Sequence, residues 1–145
     1  MTFTAAVRSC LTQYAGFQGR APRSEFWWFW VFTLLVEVAA IFISGMLMAG
    51  SMTTAGIAPG TDGDMTTMHG WYVFAVPHWL TGIVHLALIL PSLAVAVRRL
   101  HDVGRTGWWF LIMFVPFGFF VLLFWWVQPS EPRANAYGPP LLPAY

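Results

Sequence analysis

The sequence predicts an all-α integral membrane protein, with three transmembrane helices and an N-terminal amphipathic helix in the interface. Three observations carry that expectation. Apolar residues make up 58% of the 145-residue chain and charged residues only 9%, where a soluble domain carries about 45–50% and about 25%. Three apolar blocks are long enough for the ~20-residue helix that a hydrocarbon core requires. The arginines, finally, cluster at block ends. So few charges cannot cover a water-soluble globule, and 18% aromatic content is the opposite of a disordered signature. A single cysteine, Cys10, excludes a disulfide framework and a multi-cysteine metal site. The net charge of +1 includes no lysine, so nucleic acid is not an expected partner.

The first element is amphipathic. Phe3, Ala6, Val7, Cys10, Leu11 and Tyr14 recur at helical spacing while Arg8, Ser9, Thr12 and Gln13 fall elsewhere, which predicts an interfacial helix over residues 3–15. The transmembrane helices are expected at 26–49, 72–97 and 108–127, and a proline-rich tail at 128–145. The first block starts too late and runs too long for a cleaved signal. Trp108-Trp109 and Trp125-Trp126 bracket the third block one bilayer thickness apart, as an aromatic belt at each interface would. Its central Val115-Pro116-Phe117-Gly118 is the one run that would instead turn a re-entrant hairpin and return the tail. The tryptophan spacing favours the full span.

Arginine placement sets the orientation. Residues 1–25 and the loop carrying Arg98, Arg99, Asp102 and Arg105 are each net +2, whereas the loop Gly50–Trp71 carries only Asp62 and Asp64. The positive-inside rule puts the N-terminus and the arginine loop in the cytoplasm, and the tail then falls in the periplasm. Asp62 and Asp64 are too few ligands for a calcium site.

Two cytoplasmic segments are dense in unusual residues: Gly19-Arg20-Ala21-Pro22-Arg23-Ser24-Glu25-Phe26-Trp27 and Arg98-Arg99-Leu100-His101-Asp102-Val103-Gly104-Arg105-Thr106-Gly107-Trp108-Trp109. With Asn135-Ala136-Tyr137-Gly138-Pro139 downstream, the chain resembles the bacterial family called domain of unknown function 805, the YhaH-like inner-membrane proteins. Every element of that family's pattern is present in order. The resemblance implies a small helical inner-membrane protein and brings no activity with it. Glu37, His78 and His85 are not part of the family pattern.

Physically, Arg20, Arg23, Arg98, Arg99 and Arg105 sit near a membrane boundary, where guanidinium bonds phosphate or carboxylate in bidentate fashion. Two uses compete: a clasp between the segments through Glu25 and Asp102, or an anion site for a headgroup or an acidic partner. Asp102 is expected to bond Arg20 or Arg23, and Glu25 an arginine of the second segment. His101-Asp102 invites a catalytic reading, but no nucleophile accompanies it. Within the bilayer, Glu37 and His85 fall at similar depth on facing polar stripes (Thr33, Glu37, Ala40, Ser44 and His78, Thr81, His85, Ser92), as interhelical glue or part of a proton path. His78 and His85 share one helix face, so they cannot ligate one heme from both sides, and no cofactor is expected.

The expected function is a non-enzymatic accessory or scaffolding subunit of a membrane complex; the alternative is a small oligomeric transporter or channel using Glu37 and His85. Membrane lipids are expected partners. The 13 phenylalanines and 9 tryptophans exceed what three helices bury among themselves, so other subunits or a homo-oligomer are expected too.

Overall fold

A computed structural model of the chain describes residues 1–54 and 78–141. Helix α1, Phe3–Thr12, starts at Thr2, whose side-chain oxygen accepts from the Ala5 amide. Such a cap satisfies one of the four orphan donors of a first turn. The helix ends where the Thr12 hydroxyl turns back onto the carbonyls of Arg8 and Ser9. Its buried face is Ala6 and Cys10. Helix α2, Arg23–Thr54, begins directly after Pro22, whose carbonyl accepts from Glu25 and Phe26. The helix thus runs beyond both ends of the expected first block. Helix α3, Pro91 inside it, covers His78–Asp102.

The end of α3 explains the glycine of the second motif. Gly104 takes φ +71°, its amide bonds the His101 carbonyl, and the Arg105 amide bonds the Leu100 carbonyl. This is a Schellman stop, with a left-handed residue that glycine adopts without strain.

The third apolar block is not a span. Gly107–Phe114 is a 3₁₀ helix and Gly118–Val127 is helix α4. Between them Val115-Pro116-Phe117-Gly118 forms a type II turn: the Gly118 amide bonds the Val115 carbonyl at 2.9 Å and Phe117 sits at φ 65°. Proline presets the first corner, and the second demands a positive φ. A Cβ on Gly118 would collide with the Ile112 carbonyl, so only glycine lets the arms close. The arms lie side by side, with Trp109 on Trp125 at 5.3 Å and Phe110 on Trp126 at 6.4 Å between ring centroids. Each arm is about 15 Å long, half of the ~30 Å core.

Two expectations are therefore corrected. The tryptophan pairs are neighbours at one end, not belts at opposite interfaces. The tail does not emerge opposite the arginines, because Arg20 bonds the carbonyls of Glu131 and Arg133. An N-terminal motif in the cytoplasm with a tail in the periplasm is incompatible with those bonds. Within the tail, Asn135 and Gly138 exchange both backbone hydrogen bonds across a turn.

The chain forms two units. One comprises Met1–Thr33 and Leu88–Tyr145, with a core of Cys10, Ala21, Phe26, Phe29, Val95, Ala96, Leu100, Leu122, Trp125 and Trp126. The other is Leu34–Ala87; here Ala40 and Ser44 are buried while Leu35, Val38, Ile41, Phe42, Met46 and Leu86 are exposed. Helices of this length with apolar residues turned outward are suited to lipid, and two stretches, Arg23–Leu47 and Trp79–Asp102, are long and apolar enough to cross a membrane. Residues 55–77, with Asp62, Asp64 and the expected start of the second block, lie outside the described residues, as does the side chain of His78.

The hairpin has a direct consequence for labelling. With Cys10 replaced by alanine, single cysteines at Thr106 and Ala134 should react with an impermeant thiol reagent from the same side of the membrane. Reaction of Thr106 and Ala134 variants from opposite sides would restore the full span.

Candidate functional site

The charged residues of the two motif segments meet in the first unit, at the C-terminal end of α3. Asp102, the last residue of that helix, has no exposure. Its Oδ1 accepts from Arg20 Nε at 2.9 Å and forms an ion pair with Nη2 at the same distance, and its Oδ2 accepts from Arg99 Nη1. The fork of Arg20 continues to the tail, donating to the carbonyls of Glu131 at 2.6 Å, Arg133 at 2.9 Å and Pro139 at 3.3 Å. Arg99 donates from Nε to the Trp126 carbonyl at 3.2 Å and from Nη2 to the Gln128 carbonyl. These carbonyls close α4, whose C-terminal end carries the negative pole of its dipole. One carboxylate and two arginines thereby tie α3, α4, the tail and the Gly19–Pro22 entry segment.

A second pairing lies beside the first. Arg98 Nη2 donates to Glu25 Oε1 at 3.1 Å and Nη1 to Gln13 Oε1 at 2.6 Å. The same Glu25 oxygen accepts from Ser9 Oγ at 2.9 Å and from the Cys10 thiol at 3.6 Å. Helix α1 is thus pinned to α2 and α3 through one acid. The Ala21 amide completes the junction by bonding the Arg98 carbonyl at 3.1 Å. Burial and the neighbouring Glu25 carboxylate push the Cys10 thiol from 9.0 up to about 12, which makes it a poor nucleophile.

His101 stacks on Tyr137, rings parallel at 3.8 Å. Its Nδ1 lies 3.2 Å from the Gly19 carbonyl; a carbonyl only accepts, so that nitrogen carries the proton. Asn135 donates to the His101 carbonyl and to Glu131 Oε2, both at 2.9 Å, and its own Oδ1 accepts the Tyr137 amide. The Asn-x-Tyr-Gly-Pro segment is thus a latch, closed over the other two. Gly107 is equally constrained, since a Cβ there would stand 2.7 Å from Val97.

The remaining candidates stand apart. Arg23 is exposed with no acidic partner among the described residues. Arg105, also exposed, lies over the Trp125 ring at 5.1 Å. In the second unit His85 Nδ1 meets Glu37 Oε1 at 2.8 Å, and the His85 side chain is 65% exposed. Sequence reasoning missed Gln13, Ser9 and Cys10 around Glu25, and Glu131 beneath Arg20. The polar face of α1 held the signal for the first two. The backbone carbonyls that take up most of Arg20 and Arg99 leave no trace in side-chain identity.

A family model described as "Protein of unknown function (DUF805)" matches residues 14–139. The chain belongs to the DUF805 family. It is 35% identical over 132 residues to "Inner membrane protein YhaH" of Escherichia coli (strain K12), covering 89% of both chains. It is also 35% identical over 131 residues to "Inner membrane protein YhaI" of the same strain, covering 90% of this chain and 89% of that one. No solved structure matches. In this DUF805 chain the three segments that carry the family resemblance are the three that the buried arginines join.

The raised thiol gives a pH signature. Between about pH 9 and 12 the unfolded chain releases a proton that folded Cys10 keeps, so folded stability should fall as pH rises through that window. Below it the contribution is fully present. Cys10→Ala should flatten the decline, measured by thermal unfolding in detergent across pH 8–11. An unchanged slope would mean that the thiol ionises freely in the folded protein.

Proposed function

We propose that this DUF805 protein is a non-enzymatic membrane scaffold, an accessory subunit that packs its lipid-level faces against other membrane subunits or further copies of itself. The carrying observation is that Arg20, Glu25, Arg98, Arg99, His101 and Asp102 are each bonded within the chain. A catalytic acid, base or nucleophile needs a face open to substrate. Asp102 has none, the Cys10 thiol is held neutral, and His101 gives its Nδ1 proton to Gly19 and one ring face to Tyr137. Motif chemistry of this kind maintains a shape.

The shape has surfaces to offer. Trp30, Leu34, Leu35, Val38, Phe42 and Met46 line the outside of α2, and Trp108, Phe114, Phe117 and Phe120 are exposed on the hairpin. With the arginine-rich side taken as cytoplasmic by the positive-inside rule, both the N-terminal motif and the tail lie in the cytoplasm of the inner membrane. The hairpin then dips into the inner leaflet from that side.

A second reading rests on one observation: Glu37 and His85 form a bonded pair within candidate spans, where ionisable groups often serve ion paths. Two full spans and a half-depth hairpin enclose no pathway alone, so this reading requires assembly of several copies. The two separate by reconstitution. Vesicles of phosphatidylethanolamine and phosphatidylglycerol, loaded with a pH-sensitive dye and carrying the purified chain, should acidify no faster than empty vesicles after an external pH drop. Acidification that the wild type produces and Glu37→Gln abolishes would replace the scaffold by a proton path.

A further inference from the structure

A groove separate from the arginine network runs between α1 and the start of α2, with a volume of about 480 Å³. One row of α1 residues, Phe3, Val7 and Leu11, supplies an apolar wall, and the adjacent row, Thr4, Arg8 and Thr12, a polar one; Phe32 of α2 closes it. These rows repeat every four residues, so each forms a continuous stripe along the helix. None of the lining residues is acidic. Arg8 is exposed and, among the described residues, has no carboxylate partner. Buried Arg20, Arg98 and Arg99 each have one.

The groove also has a direction. Ser9 and Cys10 bond Glu25 near the start of α2, while Phe3 meets Trp28 at 5.8 Å and Phe32 at 6.5 Å. Helix α1 therefore runs back along α2, and Phe32 lies seven residues, about 10 Å of helix rise, beyond Glu25 toward the membrane interior. Arg8 stands at the charged, interfacial end and the phenyl rings at the deep end. A phospholipid has that polarity: an anionic phosphate at the headgroup level, an acyl chain below.

We propose that this groove is a binding site for one anionic phospholipid, its phosphate held by Arg8 and one acyl chain lying along Val7, Phe3 and Phe32. The occupant is anionic because the groove offers an unneutralised guanidinium. It is an amphiphile because the remaining walls are apolar. The site neither needs nor implies the scaffold reading, and would serve a transporter equally.

Native mass spectrometry of the full chain in mild detergent tests it. Incubated with equal amounts of dioleoyl phosphatidylglycerol and dioleoyl phosphatidylcholine, the wild type should retain one lipid with about fivefold preference for the anionic one, the gain that one arginine makes near an anionic surface. Arg8→Gln should remove the preference, Arg8→Lys should keep most of it, and Arg23→Gln, outside the groove, should leave it intact. Val7→Trp should lower retention of both lipids. Excess glycerol 3-phosphate should not displace the lipid, because the acyl chain carries part of the binding. Preference that survives Arg8→Gln, or that Arg23→Gln removes equally, would overturn the proposal. So would displacement by glycerol 3-phosphate, which would make the site one for free phosphate esters. Unfolding of Arg8→Gln at the wild-type temperature guards against reading misfolding as lost binding, and Arg8→Lys then decides.

Discussion

A carboxylate with no access to water must be matched on both oxygens or lose its charge, and Asp102 is matched by Arg20 on one and Arg99 on the other. The rest of the first unit depends on that sharing. Each guanidinium has more donors than the acid can use, and the surplus goes to backbone carbonyls: Glu131, Arg133 and Pro139 from Arg20, Trp126 and Gln128 from Arg99. The acid orients the forks, and the forks fasten α4, the tail and the entry segment to the end of α3. Lysine could not take this place, since a single ammonium cannot span an acid and several carbonyls in one plane.

This constraint also explains why the third apolar block folds as a hairpin. Its last carbonyls are needed at Arg99, on the same end as its first residues. A span would carry Trp126 and Gln128 a bilayer away from Arg99. The turn at Val115–Gly118 is therefore what the ion network requires of the chain between Thr106 and Gln128. Its left-handed Phe117 is a conformation that costs a non-glycine residue about 1–2 kcal/mol. That cost is tolerable where the network over-determines the geometry.

Much of this was legible beforehand. The two long helices followed from block length, and the meeting of the motif segments from charge: five arginines near one boundary, with Glu25 and Asp102 the nearby acids in the motif segments. The hairpin is harder to read from the sequence because two signals conflict. Tryptophan pairs one bilayer apart in sequence looked like two interfaces, whereas Pro-Phe-Gly was the stronger determinant of backbone. A 3₁₀ arm and an α arm of similar length return the pairs to one level, and belt spacing cannot tell that from a crossing. The tail was illegible for another reason: its anchors are main-chain carbonyls, which every residue carries. Only the Asn-x-Tyr-Gly run hinted at the turn that seats Tyr137 on His101.

The most direct measurement is a pair of readouts on Asp102→Ala in detergent: unfolding free energy, and cleavage by trypsin at Arg133. Removing one partner of a buried pair strands charge and costs about 3–5 kcal/mol. The account predicts a loss of that size, together with rapid cleavage in the tail under conditions where the α3 and α4 region stays intact in the wild type. A loss below about 1 kcal/mol, the range of an exposed pair, with the tail still protected, would contradict it.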